Sequence, residues 1–168
     1  GTSGGASNWS SGFLPTTYQG VLFRNQGEPV LNLNNPEGLS RRMQQATVDA
    51  IGDLNRQRHA EIGDPEINSR VAAYELAFRM QAAAPELVDL KDESAETLAL
   101  YGLDEKETRE FGQRCLLARR MVERGVRFVQ VYSGDTNGWD AHGDVLDNHT
   151  KHCKATDQPV AALLTDLK

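Results

Sequence analysis

Cysteine is scarce in this 168-residue chain: only Cys115 and Cys153 occur, far apart and outside any CxxC or CxxH spacing. A zinc finger is thereby excluded. Each cysteine sits in an apolar helical pattern, so both are expected to be free, buried packing residues. Two cysteines also allow one disulfide, which leaves the redox compartment open. Long apolar runs are missing as well. None approaches the ~20 residues that a membrane span needs, and no signal-peptide pattern opens the sequence. Positive charge is in deficit, with 18 Lys and Arg against 24 Asp and Glu and a net charge of -6. That balance argues against wrapping nucleic acid, whose affinity rests on neutralised phosphates. Gly-x-Ser-x-Gly, the P-loop and GxGxxG are all absent, as is any internal repeat. Ser3, Ser10, Ser11 and Ser133 fall in loops, where serine serves local hydrogen bonding; none is singled out as a nucleophile.

What is present is a polar globular composition: 39% hydrophobic and 25% charged residues, with a mean hydropathy of -0.54. The length suits one domain with a sizeable core. The chain opens in Gly1-Thr2-Ser3-Gly4-Gly5 and stops at Asp166-Leu167-Lys168 inside a helical pattern, so it is expected to be a segment of a longer protein. It is read as a single, partial domain over 1–168. Residues 1–36 form loop and short strands, 37–125 a helical region, and 126–168 a strand, a metal-type loop and a following helix.

In the first region Trp9 and Phe13 are expected to pin a surface loop, and Tyr18–Arg24 and Val30–Leu33 read as short strands. In the second, apolar residues from Leu39 to Leu54 recur at helical steps, and Gly63 stops the helix. His59 near its end reads as part of a solvated cationic face. Asp64-Pro65-Glu66 restarts a helix expected to run to about Ala83, making a helical hairpin. Pro85 to Gly102 reads as helical pieces capped by Ser94. Asp104 and Glu107 read as a capping box for a helix from Glu105 to Arg124, stopped by Gly125.

The third region carries the chemistry. Phe128, Val129, Val131 and Tyr132 suit a buried strand, which empties into Gly134–Asp144, a polar, glycine-punctuated loop. In open α/β sheets, chemistry gathers where strands end. Asp140 and His142, separated by one residue, are carboxylate and imidazole, the commonest ligands for zinc, manganese and iron. His149 and His152 follow on a helix, three apart, so three of the four histidines fall within eleven residues. His149 is the weaker third ligand and His152 the weakest; Asp135, Asp144 and Asp147 add nearby carboxylates. The bland alternative is a solvated loop with both histidines on an exposed helix. Pro159 is expected to break or kink the helix after the loop. One strong strand among so much helix leaves two architectures open: a mainly helical fold with a small sheet, or a sheet whose other strands lie elsewhere.

Asn8-Trp9-Ser10-Ser11-Gly12-Phe13-Leu14-Pro15, Tyr18-Gln19-Gly20, Arg119 to Tyr132, and Gly138-Trp139-Asp140-Ala141-His142 together resemble the domain-of-unknown-function family 1501, abundant in planctomycetes and related bacteria. The resemblance spans essentially the whole chain. It implies a branch of the alkaline phosphatase and sulfatase superfamily, and hence an α/β fold: a helix-rich segment, with few strands, of an α/β/α sandwich. It also implies a divalent metal (zinc, calcium, magnesium or manganese) held in part by Asp140 and His142, with His149 as a further ligand. Further ligands and the nucleophile would lie outside this chain. The usual superfamily pairing spaces aspartate and histidine further apart than Asp140 and His142. A small anionic ester is the implied substrate, and an exported or periplasmic home the implied location. The leading expectation is therefore a segment of a metal-dependent phosphate or sulfate ester hydrolase, inactive as a fragment. The rivals are a non-catalytic binding or scaffold protein that keeps the fold, and a helical interaction module.

Overall fold

Among the described residues the chain forms five α-helices. In a computed structural model, which describes residues 8–15, 18–24, 27–31, 33–133 and 138–168, these are α1 (Arg41–Ile62), α2 (Pro65–Val88), α3 (Ala95–Leu100), α4 (Arg109–Glu123) and α5 (Val145–Asp166). Among the described residues there is no strand. This overturns the expected α/β class and the α/β/α sandwich. Residues 126–133 have strand-type side chains, but a strand needs a partner. No backbone–backbone hydrogen bond joins residues 127–131 to another described segment. Phe128, expected to be buried, is 83% exposed, and only Val131 of this stretch packs on the core. Residues 18–24 and 27–31 likewise form no strand, the one backbone bond between them running from Arg24 N to Pro29 O at 2.8 Å.

The chain divides into two compact units, Gly4–Glu86 and Leu87–Lys168. In the first, Ser40 caps α1 by accepting the Met43 N–H at 3.2 Å. Gly63 ends α1 in the left-handed region (φ 74°), its N–H bonded to the His59 carbonyl, the conformation for which glycine is suited. Asp64 and Pro65 restart the chain at once, with Asp64 Oδ1 accepting the Glu66 N–H at 3.0 Å. His59, the basic residue of the last turn of α1, joins this corner: its Nδ1 donates to the Asp64 carbonyl at 2.9 Å, and its Nε2 lies 3.0 Å from Asn68 Nδ2. Within the same unit, the Arg41 guanidinium lies over the Phe78 ring at 5.3 Å, a cation–π contact. The Trp9 carbonyl accepts the Gly20 N–H at 3.0 Å, whereas Phe13 pins nothing and is almost fully exposed. The second helix passes Ala83 and runs through Pro85 to Val88.

The second unit holds the better-formed core. Tyr101, Cys115, Leu116 and Ala162 are buried together, with Leu90, Leu98, Leu103, Phe111, Val131 and Leu163 packed against them. Apolar residues at helical steps put Cys115, Leu116, Ala118 and Met121 inward on α4, and α4 packs along α5. The capping box at Asp104 does not form. The helix begins at Arg109, and Thr108 turns its hydroxyl to the Gly102 carbonyl at 2.6 Å. Pro159 does not break α5 either; it is buried within one continuous helix. Both cysteines are free, but only Cys115 is buried and Cys153 is exposed. Burial pushes the Cys115 thiol up to about 11, so it is inert packing.

Candidate functional site

Asp140 and His142 stand on the short loop that enters α5. The loop ends in Asp144, which takes up a left-handed backbone (φ 49°) without a side-chain cap. That conformation costs a non-glycine residue about 1 kcal/mol. Asp140 Oδ1 and His142 Nε2 lie 3.3 Å apart, with the side chains 68% and 89% exposed. Neither is therefore held by packing.

The loop is instead tied to the first turns of α5. Asn148 Nδ2 donates to the Gly138 carbonyl at 2.9 Å. His149 Nε2 faces the Trp139 carbonyl at 3.0 Å. A carbonyl only accepts, so Nε2 carries the proton in this contact and Nδ1 keeps its lone pair when the ring is neutral. The Trp139 indole N–H donates to Ser133 Oγ at 3.0 Å, and its ring lies 5.0 Å from that of His152 and 6.1 Å from that of His149. Residues 134–137, with the expected carboxylate Asp135, lie outside the described residues.

The structure thus brings Asp140 to His142, and it brings His149 and His152 to Trp139. Among the described residues no group of three His, Cys, Asp or Glu side chains is placed to hold a metal. Carboxylate and imidazole side by side suit a divalent cation as donors, but a protein site ordinarily supplies three or more. Asp140 and His142 fit as part of a ligand set and do not make one by themselves. The sequence reading passed over Trp139 and Asn148 as functional. The signal available was the indole immediately before Asp140 and an amide one turn into the helix that follows.

The densest ionisable cluster in the second unit is elsewhere and was not foreseen. Glu93 accepts from Arg119 Nη2 at 2.8 Å on both oxygens and from Arg120 Nη1 at 2.6 Å. Asp166 accepts from Arg119 at 3.2 Å and from the Tyr101 hydroxyl at 2.9 Å. Burial pushes the Glu93 carboxyl up, but the hydrogen bonds and charges of Arg119 and Arg120 outweigh it and hold the group below the usual glutamate range. Burial works against the Arg119 charge in turn, and Glu93 and Asp166 overcome it. Burial first, then Asp166, pushes the Tyr101 hydroxyl well above its ordinary value. With Glu123 also 3.3 Å from Arg119 Nε, two guanidiniums here face three carboxylates, so the cluster has no surplus positive charge for an anionic ligand and reads as a structural tie.

No helix among the described residues is long and apolar enough to cross a membrane. Comparison with curated proteins and with solved structures returns no match in either case. The family model described as "Protein of unknown function (DUF1501)" matches residues 1–168. Covering the chain from end to end, that match shows that it belongs to the DUF1501 family.

Proposed function

We propose that the chain is part of a metal-dependent hydrolase of phosphate or sulfate esters. The observation that carries this reading is the Asp140–His142 pair, a carboxylate oxygen and an imidazole nitrogen 3.3 Å apart on an exposed loop. Both side chains are open to solvent and so accessible to an ion and to a small ester. A bound divalent cation would supply Lewis-acid polarisation of the ester's anionic oxygens. The chain's own residues bind and orient: Asp140 and His142 present their donors from one loop, and the turns of α5 hold that loop in place. The remaining donors and the attacking group belong outside the described residues. A net charge of -6 disfavours an anionic substrate unless a cation dominates the local field, which is a second reason to couple metal and ester. An exported location accompanies this reading.

The test is His142→Ala in the intact protein, with bound metal counted by elemental analysis. The expected result is lost or reduced stoichiometry; an unchanged count removes His142 from the ligand set. A screen of phosphate and sulfate esters with added divalent metals completes it. Turnover that disappears in Asp140→Ala supports hydrolysis, and metal binding without turnover assigns a non-catalytic binding protein instead.

A further inference from the structure

We propose that Asn148 and His149 are positioning residues that clamp the loop bearing Asp140 and His142, and that His149 serves there as a backbone clamp and not as a third metal ligand. Three observations converge. Asp140 and His142 are mostly exposed, so their placement must come from their backbone. The two carbonyls immediately before them, of Gly138 and Trp139, are each taken by a side chain of α5, from consecutive residues Asn148 and His149. The chain then re-enters α5 through Asp144. Both ends of the short loop are thus fastened to the same two helical turns.

The Trp139 ring closes the arrangement. Its N–H reaches Ser133, and its ring lies near those of His149 and His152 at a tilt. Rotation of the 138–139 peptides would break both carbonyl contacts and lift the indole from the imidazoles. Without the clamp, the loop would have to order itself each time it met an ion. Partners of this kind, one shell behind the ligands, typically contribute about 10–100-fold in metal affinity. The metal part of this inference rests on the proposed metal-binding role of Asp140 and His142; the clamp itself does not.

The experiment uses the intact protein and reads the indole as the emission difference from a Trp139→Phe control, so that the signals of Trp9 and of any other tryptophan cancel. Zinc affinity is measured by calorimetry and the indole by its emission, for His149→Ala, His149→Gln and Asn148→Ala, with circular dichroism confirming that each variant keeps its helix. His149→Gln retains an N–H near the place of Nε2. The expected result is zinc binding weakened about 10–100-fold in both alanine variants, a red-shifted Trp139 emission, and recovery of both by His149→Gln. If His149→Gln loses zinc as completely as His142→Ala, His149 is a ligand and the proposal is overturned. Unchanged affinity and emission in His149→Ala also overturn it. If the parent protein binds no zinc, the metal-binding reading fails separately. Emission then decides the clamp: a shift in His149→Ala reversed by His149→Gln upholds it, and no shift overturns it.

Discussion

Gly112 occupies the inward face of α4 directly against the Tyr101 carbonyl, and a Cβ built there would overlap that oxygen and crowd Leu103. In an exposed helix, exchanging glycine for alanine stabilises by about 1 kcal/mol. Here the sign reverses, because the neighbour is backbone and cannot swing aside. Gly112→Ala is expected to cost about 2 kcal/mol or more through overpacking, read from urea denaturation; a variant as stable as the parent would show that α4 shifts without penalty. Cys115 and Leu116 pack in the same core, so the strain would spread into the buried centre of the unit. Gly112 was not legible as special, since glycine within a helical pattern says nothing about what passes beside it. The closeness of Asp140 and His142 follows from the opposite circumstance: two positions apart in one loop, they meet by local geometry alone. His149 was expected to be a further metal ligand, and a spacing argument does not show which atom a ring nitrogen faces.

Among the elements, those whose limits depend on local chemistry were read well. Ser94 caps α3 as expected, Gly63 and Asp64-Pro65 divide α1 from α2, and Gly125 follows α4 at φ 86°. Those decided by tertiary packing were not. Pro159 sits inside α5 because its ring is buried in the core, and Thr108 abandons its cap for the Gly102 carbonyl. The tie between Glu93 and α4 belongs to this second kind, its partners lying 26 and 27 residues apart in sequence. Removing the carboxylate would take away the anion that Arg119 and Arg120 share, although Arg119 keeps Asp166 and Glu123; breaking a buried pair in this way costs about 3 kcal/mol. The carboxyl is held below its ordinary range. Its contribution is therefore complete above the usual glutamate pKa of ~4.3 and fades as pH falls through the depressed folded value. Urea denaturation between neutral pH and pH 3 is expected to show the parent losing stability across that window, with Glu93→Gln weaker at neutral pH and losing less on acidification. Parallel curves for the two proteins would mean that Glu93 does not carry the dependence.

For the molecule as a whole, the sequence conveyed helix content and misled on architecture. Residue types such as those of 126–133 record compatibility with a pleated surface, not the existence of neighbouring strands, and the exposed Phe128 side chain shows the difference. Stability is also unevenly distributed along α5. Its buried residues are Pro159 and Ala162, Asp166 is tied to Arg119 and Tyr101, and Leu146 near its start is 80% exposed. Pro159 lacks the N–H that would reach back to Ala155, so the ladder of helical hydrogen bonds is interrupted between the two halves. Native-state hydrogen exchange is expected to give faster deuterium uptake at residues 146–155 than at 160–166, as local openings follow poor burial; equal protection on both sides of Pro159 would mean that the helix opens as one. If exchange follows burial in this way, thermal motion is partitioned along a single helix: the half that fastens the Asp140–His142 loop breathes while the half in the core stays closed.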